Sequence, residues 1–293
     1  MESLPQSYPC LRSLKLERAS MDLNDLRPLA DLPNLEHLSV SHMSFSDSSY
    51  PLTLAGLLSL TVSTSSLRDI LFTHLNVPRL QSFSLSETRK DSSHISQEFP
   101  NYLRTLLTKC PALTAFSWTS TQVWRNRKHS SGTRRADAPL AELVAPLLEH
   151  RTLRHFEMQL CGPIVPYTPS DFGACAEAWP DLEEFCLSDE QDDGTGTWKR
   201  GERYVDVGTL FEFARNCPGL HRLALPRVER FGSGALLQFE RCPPARHWLR
   251  ELSVDKVVRA RRGQDRDRHE ELVAQFRGLL VEVFPSGILR LDG

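Results

Sequence analysis

The sequence holds no Cys-x-x-Cys pair, no Asn-x-Ser/Thr sequon, no long apolar run and almost no net charge. Each absence excludes something. Seven cysteines, at Cys10, Cys110, Cys161, Cys175, Cys186, Cys217 and Cys242, form an odd and widely spaced set. That spacing argues against a disulfide framework and against a zinc ribbon, and it favours a reducing compartment, cytoplasmic or nuclear. No apolar stretch approaches the roughly 18 residues that a membrane-spanning helix needs. The opening MESLPQSYPC lacks the basic-then-apolar order of a signal peptide. A net charge of -2 gives no bulk attraction to nucleic acid or to an anionic membrane.

Signatures of chemistry are missing as well. There is no His-Glu-x-x-His, no phosphate-binding Gly-x-x-x-x-Gly-Lys and no Gly-x-Gly-x-x-Gly. RFGSGA lacks the Gly-x-Ser-x-Gly of a nucleophile elbow. The acidic stretch from Asp189 offers oxygens at Gln191 and Asp193 and a glycine at Gly194, but Arg200 stands where a calcium loop needs glutamate. The expectation is no catalytic residue, no metal and no cofactor.

What the chain does have is a repeat. Leu-x-x-(Leu/Phe)-x-(apolar) recurs as LRSLKL at Leu11, LEHLSV at Leu35, LLSLTV at Leu57, LQSFSL at Leu80 and LTAFSW at Leu113. It continues as LRHFEM at Leu153, LEEFCL at Leu182, LHRLAL at Leu220 and LRELSV at Leu249, with a weaker match read from Ile288. Units are 22 to 24 residues apart at first and 29 to 40 later. Proline stands two residues before the first leucine in six of them: Pro9, Pro33, Pro78, Pro111, Pro180 and Pro218. Proline cannot continue a helix and drives the preceding residue into an extended conformation, so it marks the joint from helix to strand.

Helical periodicity fills the gaps. The faces are Leu67, Ile70, Leu71 and Leu75; Phe99, Leu103, Leu106 and Leu107; Leu140, Leu143, Val144 and Leu147; Leu210, Phe211 and Ala214; and Leu272 through Phe284. Strand and helix in alternation predict one right-handed α/β solenoid over 1–293. About ten irregular repeats place a parallel sheet inside and helices outside. A basic insertion at 121–137 and an acidic, glycine-containing loop at 189–203 interrupt it.

CPALTAFSW and CPGLHRLAL resemble the helix-to-strand joint of leucine-rich repeats of the long, cysteine-containing type. With WPDLEEFCL, LPNLEHLSV and the irregular spacing, the ladder is similar to the C-terminal repeats of fungal F-box proteins. That resemblance implies substrate recognition in a ubiquitin ligase system. The family places a helical F-box ahead of its repeats. The first unit here begins at Leu11, so the expectation is a chain without one, or a piece of a longer protein, and docking on a ligase adaptor requires an F-box upstream.

Strand side chains alternate, so the third, fifth and seventh positions of each unit face away from the helices, toward the expected concave surface. This picks out His37, Ser39, Thr61, Ser84, Ser117, His155, Glu157, Glu184, Arg222, Glu251 and Asp255 as candidate partner-binding residues. The face is hydroxyl-rich in early units and richer in carboxylates in late ones, which suits a polar or basic partner; a merely solvated inner face is the alternative. In the basic insertion Arg125, Arg127, Lys128, Arg134 and Arg135 form a second candidate, against the alternative of a solvated loop. Protein-protein binding is the functional expectation. A structural or regulatory repeat that self-associates is the competitor, and an enzyme with a site in loops 119–139 or 188–206 is the outlier.

Overall fold

A computed structural model describes residues 7–44, 51–65, 70–89, 95–122, 138–161, 165–189, 205–226, 249–254, 274, 278 and 288–291. The strands are β1 (Ser13–Asp22), β2 (His37–Ser44), β3 (Leu52–Thr53), β4 (Ser59–Thr64), β5 (Leu75–Asn76) and β6 (Ser82–Arg89). They continue as β7 (Ala115–Gln122), β8 (His155–Cys161), β9 (Glu184–Asp189), β10 (Arg222–Leu225), β11 (Glu251–Val254) and β12 (Ile288–Leu291). Ten of them form one sheet in the order β1-β2-β4-β6-β7-β8-β9-β10-β11-β12, and every pairing along it is parallel. β3 and β5 pair in a small parallel ribbon of their own.

The joint between repeats explains the proline register. In the unit at Leu113 the amide of Leu113 donates to the carbonyl of Cys110 at 3.2 Å. The turn is therefore Cys110-Pro111-Ala112-Leu113, and proline occupies its second position, where a fixed φ near −65° fits type I and II turns. The same bond links Leu35 to Leu32, Leu80 to Val77, Leu182 to Trp179 and Leu220 to Cys217. The unit at Leu57 makes it without proline, to Leu54, using Ala55 and Gly56. The unit at Leu153 also lacks proline. There the His150 ring nitrogen (2.7 Å) and the Thr152 hydroxyl (3.2 Å) both reach the Leu113 carbonyl of the preceding unit.

A second ladder follows each turn. The amides of Glu36 and His37 share the carbonyl of Arg12, those of Leu58 and Ser59 share that of Glu36, and the pattern runs on to Ile288 on Arg250. It corrects the last unit. Ile288 pairs with Glu251 and Leu289 with Leu252, so Ile288 holds the third position of its repeat and not the first. Its 62 % exposure agrees.

The core lies on the far side of the sheet. Fourth-position residues stack along it, with Phe116 on Phe156 and Phe156 on Phe185 at ring distances of 6.3 and 5.2 Å. Helices cover them: α1 (Ile70–His74), α2 (Ile95–Lys109), α3 (Leu140–Leu143), α4 (Ala145–Leu148), α5 (Pro169–Ala178) and α6 (Val207–Asn216). The sequence-read faces at Phe99, Leu103 and Leu106, and at Leu140, Leu143, Val144 and Leu147, are fully buried. Pro146 splits the latter face into two short turns at Val144. Two of the most buried aromatics, Phe72 and Phe213, fall outside the periodicity assigned to their helices. The helix α5 is also new; its inward residues Phe172, Cys175 and Ala176 are too few and too small to write a strong stripe. Leu23–Asp31 connects the first two repeats as a 3-10 helix. Of the C-terminal helical stretch only Ala274 and Gly278 are described, both helical; its apolar face lies outside the described residues.

The cysteines at the joints are structural. Cys217 ends α6 fully buried, and its thiol reaches the carbonyls of Ala176 (3.5 Å) and Trp179 (3.4 Å) in the preceding repeat. Leucines in register, proline-turn joints, a continuous parallel sheet and helices on one face together define the architecture. The fold is a leucine-rich-repeat solenoid.

Candidate functional site

Among the described residues no helix covers one face of the sheet, and the candidate residues lie on it in two rows. The fifth-position row runs Ser39, Thr61, Ser84, Ser117, Glu157 and Cys186, each directly paired with the next. The third-position row runs His155, Glu184, Arg222 and Glu251. Adjacent members of a row are about 4.8 Å apart. Residues as far apart in sequence as Ser117 and Glu157, or Glu184 and Arg222, thus become direct neighbours. His37 sits at the other end of the face, between Ser13 and Ser59. Asp255, Arg125, Arg127, Lys128, Arg134 and Arg135 lie outside the described residues, as does most of the 189–203 loop.

Where the two rows meet, a depression of about 260 Å3 opens in the sheet face. Ser117, His155, Glu157, Glu184, Cys186 and Arg222 form its polar wall, and its floor is the sheet itself, at Phe83, Phe116 and Phe156, whose rings are buried in the core. Ser117 Oγ donates to Glu157 Oε2 at 3.0 Å. Arg222 lies between two carboxylates, with Nη1 3.7 Å from Glu184 Oε2 and Nε 3.6 Å from Glu251 Oε2. These separations exceed hydrogen-bond length, so charge alone holds the guanidinium there.

A rim of second-position residues adds charges that sequence reading did not single out. Glu183 accepts from Arg154 Nη1 at 3.2 Å, and His155 Nε2 lies 3.6 Å from its other oxygen. His221 Nε2 is 4.0 Å from Glu184 Oε1. The signal for this rim was present in the ladder, since each of Arg154, Glu183 and His221 directly follows a first leucine. Exposed pairs of this kind contribute only about 0–1 kcal/mol each to stability. Folding alone is a weak reason for their arrangement.

Cys186 lacks an evident basic neighbour in sequence, yet Arg222 of the next strand stands beside it, which corrects that expectation. The outcome for the thiol is still unreactive. Burial pushes its pKa up to about 11, with Arg222 pulling down and Glu157, Glu184 and Glu251 pushing up. A nucleophilic cysteine needs the opposite shift. Iodoacetamide at pH 7.5 should therefore alkylate exposed Cys10 at least tenfold faster than Cys186. Cys186 should catch up as pH rises toward 11 and its thiolate forms. Peptide mass mapping reads both rates, and equal rates at pH 7.5 would contradict the assigned environment. Burial also raises the Cys110 and Cys217 thiols to about 12. Among the described residues no three His, Cys, Asp or Glu side chains gather as a metal site.

No family model and no curated protein matches the chain. Among solved structures it is similar to an internalin from Listeria monocytogenes, with a TM-score of 0.39 and 11% identity over 87% of this chain and 63% of that one. The chain thus spans less than two thirds of that protein's length. No helix among the described residues is long and apolar enough to cross a membrane.

Proposed function

We propose that the chain is a non-enzymatic protein-binding scaffold whose helix-free sheet face receives the partner. The observation that carries this reading is the two-row array: half-exposed hydroxyls from Ser39 to Ser117 lead into a charged depression. A scaffold keeps such a face open because strand and helix packing are satisfied on the other side. The inert Cys186 thiol supports a binding role over a covalent one. The finer form of the proposal is substrate recognition within an F-box-type ubiquitin ligase system, supported by the likeness of CPALTAFSW, LPNLEHLSV and WPDLEEFCL to the repeats of that family.

Photo-crosslinking from the open face, in the cells that express the gene, tests both levels. Adducts formed from Ser84 or Ser117 support the scaffold. Recovery of a ligase adaptor and a cullin with the chain supports the finer reading, and their consistent absence overturns it for this chain.

A further inference from the structure

The depression has more on its walls than a general polar surface requires. Two carboxylates, Glu157 and Glu184, line it against one guanidinium, Arg222, which a third carboxylate, Glu251, approaches from the next strand. Arg222 lies within ion-pair distance of Glu184 and Glu251. Among the described residues the Glu157 carboxylate is met by the Ser117 hydroxyl and by no cation within ion-pair distance, Arg222 acting on it only from farther off. The hydroxyl occupies one oxygen and fixes the group; the negative charge is offset only at a distance.

We propose that this depression takes up an arginine or lysine side chain of an extended protein segment that lies across the strands. The segment runs from Glu157 toward β4 over Ser117, Ser84 and Thr61, a row that is uncharged and able both to donate and to accept hydrogen bonds. Three strand spacings of about 4.8 Å correspond to roughly four residues of extended chain at about 3.4 Å each. The recognised segment therefore has one basic residue followed or preceded by about four small polar ones. Charge complementarity at Glu157 selects the basic residue, and the hydroxyl row tolerates several sequences.

The inference rests on the scaffold reading and deepens it. The test is an NMR titration of the isotope-labelled full chain with acetyl-Arg-Ser-Ser-Ser-Ser-amide and acetyl-Ser-Ser-Ser-Ser-Arg-amide, the better binder being compared with its citrulline counterpart and its glutamate counterpart. The arginine peptide should give saturable shifts at the amides of Ser117, Glu157 and Cys186, with affinity at least tenfold above that of the citrulline peptide. Glu157→Gln should weaken the arginine peptide at least fivefold while leaving the thermal melt unchanged. Equal affinities for arginine and citrulline, preference for glutamate, shifts centred elsewhere, or no saturable shift would each overturn the proposal. If it falls while open-face crosslinks form, the charge assignment alone is wrong. If those crosslinks fail, the scaffold reading falls whatever the titration shows.

Discussion

Trp118→Ala should cost about 3–5 kcal/mol of folding stability, the range for deleting a large aromatic from a packed core. Trp118 is fully buried on β7 and stacks on Phe99 of α2, with ring centroids 3.8 Å apart and planes at 22°. This pair ties the strand of one repeat to the helix before it. A domain of ordinary stability has about 5–15 kcal/mol in total, so the loss is a large share of it. Urea denaturation followed by far-UV circular dichroism measures the effect. Trp118→Phe provides the contrast. It keeps the stacking surface and removes an indole N–H that meets no acceptor among the described residues, so its cost should stay near about 1 kcal/mol. If the alanine variant lost under about 1 kcal/mol, the sixth position of the repeat would not be the core position assigned to it.

Asp171→Ala is the other large effect expected, at about 2–4 kcal/mol. Asp171 is 6 % exposed and stands at the third position of α5, where it completes a capping box with Thr168. Its Oδ2 accepts from the Thr168 amide (2.7 Å) and hydroxyl (2.8 Å), and its Oδ1 accepts from the Ala141 amide at 3.0 Å. Ala141 is the second residue of α3, in the preceding repeat. One carboxylate thus serves the N-termini of helices in two successive repeats and joins them. Alanine leaves two backbone donors without it, each costing about 1–3 kcal/mol where water does not reach. In the next repeat Asp206 caps α6 alone, accepting from the Thr209 amide at 3.0 Å and hydroxyl at 3.2 Å. Asp206→Ala should therefore cost nearer the usual cap value of about 1 kcal/mol. The two melts side by side distinguish a cap from a cap that is also a tie between repeats.

Much of this architecture is visible in the sequence because a solenoid writes each contact many times. The first nine units begin their strands at the third position, two residues after the leading leucine, as the alternation requires, and six prolines mark turns that hydrogen bonding confirms. Ile288 misled for a physical reason. An apolar residue at an exposed third position imitates the leading leucine, and the unit lacks proline in the usual register. Phe72, Phe213 and α5 were not legible because short helices present two or three inward residues, too few to set a phase. The rows of the candidate site were legible residue by residue. Their meeting at Glu157, Cys186 and Arg222 was not, since partners from separate strands become neighbours only through the sheet register.

The central claim is that the helix-free face is where a partner sits, and photo-crosslinking measures this most directly. Benzoylphenylalanine is placed singly at Ser84 or Ser117 on the open face, and at Arg104 or Glu142, which are exposed on the helical side. After irradiation in the native cell, the account predicts the same protein adduct from Ser84 and Ser117 and none from Arg104 or Glu142. Adducts confined to the helical positions, or no adduct from either open-face position, would contradict it.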